Sequence, residues 1–307
     1  MTQLRQWLQD YLGYRQATGN KQRDLAWLLN GFLATLEARN EDHVTSKTML
    51  LWVTSPDSAS PGYLANRCSA VRGFARYLHL RDPRNEIPPH KLVVNRSGRP
   101  EPYLFSDEDF EALRQAILRA HGRRTRLTYG TLIGLLDATG MRVGEALALE
   151  HGDFDWKQKR VVIRHGKFGK SRELPLHSST VDALRAYARE RDQIWGRSHV
   201  AQFFIGNGGK PLRYSGAVAT FHSLIGAAGL AQRSPRRPHM HDLRHTFAVR
   251  LLRRFYADDG DVGPRLAALA VYLGHVSPSS TYRYLSADLE LFAQAARRCH
   301  ATRRVSS

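Results

Sequence analysis

From Arg81 to Pro102 the chain reads RDPRNEIPPHKLVVNRSGRPEP, a stretch dense in proline and charge. Proline lacks the backbone donor that a helix needs and pushes the residue before it toward extended conformations, so the stretch disfavours helix and reads as an extended linker. It divides the 307 residues into a first domain at 1–82, a linker at 83–102 and a second domain at 103–307. Two domains also fit the usual scale of roughly 150 residues apiece, enough for each to bury its own core.

Before the linker, apolar residues recur at helical spacing: Leu4, Trp7, Leu8, Tyr11 and Leu12, then Leu25, Leu28, Phe32 and Leu36. Thr45 or Ser46 can cap a third helix through Met49 and Trp52. Ser60 and Pro61 offer a cap and a first-turn proline for a fourth, with Leu64, Cys68, Val71, Ala75 and Leu78 inward. The tryptophans and tyrosines of this region fall on the apolar stripe, which assigns them to the core and not to base stacking. After the linker, Ser106 followed by Asp109 has the form of a capping box opening a helix with Phe110, Leu113 and Ile117.

TLIGLLDATG then ends a buried helix at Gly140, a residue suited to a left-handed stop, and Arg142 emerges at the corner before the next helix. The run from Arg160 to Leu176 has the form of a β-hairpin with Gly166 and Gly169 near its tip, which puts Lys167 on a reaching finger. Phe203 to Ile205 reads as a short edge strand closed by Asn207, Gly208 and Gly209, with a helix from Ser215. The expected fold class is therefore mainly α with a small antiparallel β-sheet.

Lys and Arg number 46 against 28 Asp and Glu, a net charge of +18. The excess runs from Arg15 through Arg72, Arg123 and Arg236 to Arg304, which suits a protein that encloses nucleic acid better than one with a single basic tail. A merely soluble basic protein is the plainer alternative. The two cysteines, Cys68 and Cys299, are far apart and in no metal-spaced pair, so neither a disulfide framework nor a zinc site is expected and a reducing compartment is. No stretch approaches the roughly 20 apolar residues of a membrane span. The expectation is a cytoplasmic, nucleoid-associated protein with no membrane partner.

Arg142, Lys167, His241, Arg244, His275 and Tyr284 form a set of cations, imidazoles and one phenol without paired carboxylates. Two guanidiniums can grip phosphate oxygens in bidentate forks, the histidines and the lysine can hydrogen-bond or move protons, and the phenol remains as nucleophile. Their contexts are ATGMRVGEALAL, GKFGKSRELPL, HDLRHTFA, LGH ending at His275, and Tyr284 nine residues later. In that order over roughly residues 100–290, these motifs resemble the tyrosine recombinase, or phage integrase, family. The resemblance implies a SAM-like helical core-binding domain followed by a catalytic domain of the DNA breaking-rejoining fold. It further implies a covalent 3′-phosphotyrosyl intermediate, with no metal and no cofactor required. The partners implied are double-stranded DNA with inverted half-sites and a tetrameric synapse of the chain itself. Only about 100 residues precede the catalytic domain, which favours a simple Xer-like or mobile-element recombinase over an integrase with an additional DNA-binding domain.

Each residue also has a plainer reading. Arg142 can form an ion pair with Glu145 three residues on, and both roles are compatible; by the resemblance Glu145 supports the site. His241 and Arg244 share one helix face above a stripe of Leu243, Phe247 and Leu251, although a histidine there can also be a satisfied core residue. His239, His241, Asp242 and His245 invite a metallohydrolase reading, which fails on spacing and on the cation at Arg244. Lys167 is the candidate general acid with Lys170 as competitor, and His275 can simply serve the end of its helix. Tyr282 and Tyr284 point to nearly opposite sides of a helix, and the nine-residue step from His275 favours Tyr284. The segment at about 286–300 resembles the terminal exchange helix that docks into a neighbouring subunit. Two other functions stay open on residues alone: type IB topoisomerase-like relaxation, and DNA binding without catalysis.

Overall fold

The computed structural model describes residues 3–18, 23–56, 59–89, 101–164, 171–196, 200–258, 260–274, 284 and 293. The chain divides into two units, Met1–Pro100 and Glu101–Ser307. Among the described residues no helix is long and apolar enough to cross a membrane.

The first unit carries α1 (Gln3–Ala17), α2 (Arg23–Ala38), α3 (Ser46–Thr54) and α4 (Pro61–His79). Thr45, and not Ser46, caps α3 by accepting from the Thr48 amide at 3.1 Å, while Ser60 caps α4 ahead of Pro61. Phe32, Leu33, Leu36, Met49, Val71, Phe74 and Leu78 are wholly buried, and burial of each such large apolar side chain contributes roughly 1.5–3 kcal/mol. The aromatic residues divide. Tyr11 and Trp52 join the core, the latter edge-on to Phe32 at 5.3 Å, but Tyr14 and Trp27 are 61% and 68% exposed. Trp27 precedes the buried Leu28 by one residue, a rotation of about 100° that carries it off the stripe.

The start of the expected linker is tied down. Asn85 is fully buried, its side chain accepts from the Val44 amide at 2.9 Å, and its carbonyl bonds His79 Nδ1 at 2.7 Å. Glu86 continues this by accepting from the Ser46 amide at 2.7 Å, which helps start α3. Residues 83–89 thus belong to the packing of the helical unit, and 90–100 lie outside the described residues.

The second unit opens with α5 (Asp107–Arg119), whose capping box is complete: Ser106 Oγ accepts from the Asp109 amide and Asp109 accepts from the Ser106 amide. Next come α6 (Arg123–Thr139), α7 (Val143–Ala148), a 3-10 turn at His151–Asp153, and an antiparallel sheet in the order β1-β2-β3. The strands are β1 (Phe154–Asp155), β2 (Arg160–Ile163) and β3 (Arg172–Pro175), with Val161 opposite Leu174 and Ile163 opposite Arg172. The helices α8 (Ser178–Trp195), α9 (Tyr214–Ala227), α10 (Met240–Ala257) and α11 (Val262–Leu273) complete the described part.

Phe203–Ile205 is not a strand of this sheet. Only isolated bridges, Glu150 to Gln202 and Ile205 to Pro211, flank a chain reversal through Gly209 at φ 69°. The apolar content that suggested a strand instead supplies buried rings: Phe203 lies 4.4 Å from Phe154 and 5.3 Å from Tyr187, centroid to centroid.

Two features of the core position the site. Gly140 ends α6 at φ 59°, and a Cβ there would fall 2.3 Å from Phe247 Cδ1 of α10. Only glycine permits that left-handed stop beneath the ring, so Arg142 turns out of the core two residues later. At the far end of α11, Gly274 stops the helix in the same conformation, φ 66°.

Candidate active site

The last carbonyls of a helix have no partner within it and form the negative end of its dipole. At the end of α11 three arginines from three other places in the chain take them up. Arg172 Nε donates to the Tyr272 carbonyl at 2.8 Å, Arg244 to the Leu273 carbonyl at 2.7 Å, and Arg142 to the Gly274 carbonyl at 2.9 Å. Arg244 also donates to the Gly140 carbonyl at 2.9 Å, which joins the two glycine-stopped helices through one guanidinium.

Glu145 sits in the middle of this group. One carboxylate oxygen accepts from Arg142 at 2.8 Å and Arg172 at 3.0 Å. The other accepts from Arg172 at 2.7 Å and from the Arg142 backbone amide at 2.9 Å. Burial raises the Glu145 pKa, but the Arg172 fork and the Arg142 amide outweigh that and hold it at about 2. The i,i+3 ion pair considered for Arg142 therefore exists, and it leaves the guanidinium one-quarter exposed. With three guanidiniums against one carboxylate, the group keeps a net positive charge suited to an anion.

Arg244 is nearly inaccessible, with 2% of its surface exposed, and it hydrogen-bonds the hydroxyl of Tyr284, itself 4% exposed. The Tyr284 ring stands 5.3 Å from the His245 ring, which in turn stands 4.9 Å from His241, both edge to face. Around them Ala248, Val249, Leu252, Leu269 and Leu273 form a small apolar cluster that includes Tyr284. His241 has solvent-exposed surface, although the protein crowded around it disfavours its charged form. Arg244, Arg142 and Arg236 push in the same direction, against the neighbouring Asp242, and together these lower its pKa. A neutral imidazole there can both donate and accept.

The structure thus brings together Arg142, Glu145, Arg244, His241 and Tyr284. Lys167 and His275 lie outside the described residues, as do Lys170, Tyr282 and all of 286–300 except Ala293. The residues weighed as a metal cluster have other partners: Asp242 accepts from the His239 amide at 2.7 Å to start α10 and pairs with Arg236. Among the described residues no group of three or more histidines, cysteines or carboxylates could hold a metal ion.

Arg172 was missed. Its signal lay in the pleat: Arg172 and Leu174 point to the same face of β3, and Leu174 is fully buried, so the strand pattern turns a cation inward. An inward charge on a strand calls for a buried partner.

A model of the phage integrase family matches residues 105–290. The integrase/recombinase y4rB of Sinorhizobium fredii is 38% identical over 305 residues, covering 97% of each chain. The chain belongs to the phage integrase family. This recombinase is also 31% identical over 224 residues to the tyrosine recombinase XerC of Listeria monocytogenes, covering 72% of this chain and 70% of that one. In fold it is similar to a Tn1549 transposon integrase solved with transposon right-end DNA, at a TM-score of 0.69 and 15% identity over the whole of both chains. A XerH recombinase bound to difH DNA superposes at a TM-score of 0.66 with 23% identity, over 88% of this recombinase and 77% of that chain.

Proposed function

We propose that this site-specific DNA recombinase cuts and rejoins DNA strands through Tyr284. The observation that carries the reading is the meeting of Arg142, Arg244 and the Tyr284 hydroxyl at the positive cluster on the end of α11. A phosphodiester held there meets two guanidiniums, each amino group of which has a second N–H beyond the one given to a carbonyl or to Glu145, and a phenol within the same group. His241, neutral-leaning and open to solvent, supplies a further donor or a proton acceptor.

In the proposed step the Tyr284 oxygen bonds to phosphorus as the bond from phosphorus to the 5′ oxygen breaks. The phenol proton passes to solvent or a neighbouring base, and the departing oxygen takes a proton from Lys167, while His275 adds a hydrogen bond to the phosphate. The 3′-phosphotyrosyl link keeps the bond energy, so a 5′ hydroxyl of a partner strand can reverse the step and join the strands without ATP. Among the partners we infer are duplex DNA with inverted half-sites and a tetramer assembled on it. The segment at about 286–300 serves there as the exchanged element, and the helical unit at 1–82 as the second grip on DNA.

The test is covalent capture. Incubation with a randomised duplex library, stopped with detergent, yields wild-type protein joined to a 3′ DNA end, while Tyr284→Phe still binds DNA and yields no adduct. An adduct that persists in Tyr284→Phe and vanishes in Tyr282→Phe would move the nucleophile, and no adduct from the wild type would reject the reaction.

A further inference from the structure

Arg172 stands in the run GKFGKSRELPL beside the lysine assigned to the reaction and has no role in it so far, yet it holds one anchor of Arg142, Glu145, and the last turn of α11 that carries the other. Its side chain is 12% exposed and faces inward from β3. A guanidinium in such a place is unfavourable unless its donors are used. Here they are used on two elements that are remote from β3 in sequence. One fork grips both oxygens of Glu145 on α7, at 3.0 and 2.7 Å, and Nε reaches the Tyr272 carbonyl of α11 at 2.8 Å.

The first contact fixes the plane of the Glu145 carboxylate, which holds the Arg142 side chain at 2.8 Å and its backbone amide at 2.9 Å. The second fixes the last turn of α11, where the Gly274 carbonyl holds the other Arg142 amino group at 2.9 Å. Gly274 makes the close approach possible, because a Cβ there would lie 2.9 Å from one Arg172 nitrogen and 3.4 Å from one of Arg142. The same turn leads straight into His275.

We propose that Arg172 is a positioning residue for strand cleavage, a fork that ties Glu145 to the end of α11 so that Arg142 meets the phosphate in one orientation. This rests on the reading of Arg142 as a phosphate clamp. Arg172 is assigned no contact with the phosphate: its side chain is 12% exposed against 26% for Arg142, and each of its three nitrogens already donates to a protein group. Lysine cannot replace it, since a single ammonium cannot span two carboxylate oxygens and a carbonyl in one plane.

The experiment uses the full-length protein and the duplex recovered by covalent capture, with single-turnover cleavage read at saturating DNA. Arg172→Gln and Arg172→Lys are expected to bind DNA within about threefold of wild type and to cleave roughly 10- to 100-fold more slowly. The same duplex is then made with a methylphosphonate at the scissile position, which removes a negative charge that the clamp would neutralise. On it the rate deficits of Arg142→Ala and of both Arg172 variants, relative to wild type, shrink together. A deficit that shrinks for Arg142→Ala and stays unchanged for the Arg172 variants overturns the proposal and leaves the clamp standing. Full activity of Arg172→Lys overturns it as well, because the fork would then be dispensable. If the Arg142→Ala deficit does not shrink, or wild type does not cleave, the clamp reading fails and the proposal falls with it. Thermal melts accompany each variant: if Gln prevents folding the Lys variant carries the test, and loss of fold in both makes Arg172 a folding residue and rejects the positioning role.

Discussion

At the scale of single residues, Glu145 shows how a carboxylate can serve a cationic site without cancelling it. Among the described residues its carboxylate accepts from Arg142 and Arg172, and its pKa is held at about 2 against an ordinary 4.5. A carboxylate with a depressed folded-state pKa contributes stability that is present above its unfolded pKa and is lost as pH falls through the folded one. The window is therefore from about 4.5 down to about 2. Acid unfolding followed by circular dichroism should show Glu145→Gln less stable at neutral pH and with a flatter loss across that window; an unchanged acid limb would mean that the carboxylate is not paired as described. The sequence pointed to Arg142, Glu145, His241, Arg244 and Tyr284 through local motifs, because each stands in a recognisable run of neighbours. Arg172 stands in such a run too, and its strand alternation turns it inward, but its role was hidden because its partners are 27 and 100 positions away along the chain.

At the scale of elements, the corner between α6 and α7 decides where the site stands. Gly140 combines a left-handed backbone with a ring pressed against its α-carbon, so Gly140→Ala adds strain and displaces Phe247. The expected cost is about 2 kcal/mol or more, seen as a melting temperature lower by roughly 4–8 °C. Cleavage should fall with it, since Arg142 and the Gly140 carbonyl bound by Arg244 both move; a melting temperature within about 1 °C of wild type would show that the corner tolerates a side chain. Elements with local signals were legible: the caps at Ser60 and Ser106, the stop at Gly140 and the helical stripes all depend on neighbours within a few positions. Phe203–Ile205 was not, because a short apolar run reads alike whether it pairs as a strand or supplies rings to a core. Trp27 was misassigned for a related reason: a large apolar side chain one position off the stripe looks like part of it until the neighbouring helices are in place.

At the scale of the whole molecule, the net charge of +18 sets how the protein meets DNA. Each phosphate neutralised releases condensed counterions, so the logarithm of the binding constant should fall by about 0.9 per phosphate for each unit of log salt. For 6–10 phosphates that is a loss of roughly 10³–10⁵ between 50 and 200 mM salt, measurable by anisotropy with a labelled duplex. A nearly flat dependence would contradict a polyanionic partner. The sequence by itself determined the class of this protein, its helical and hairpin elements and the residue types of its chemistry, because caps, stops, periodicity and motif order are written in short-range neighbours and in composition. Only the tertiary structure decided which groups share one space: that three arginines from separate elements gather on the free carbonyls of α11, that Glu145 joins two of them, and that Tyr284 rests on the third. Unpaired helix-end carbonyls and a buried carboxylate require partners, but which distant cation fills the place is fixed by packing, and packing is not local.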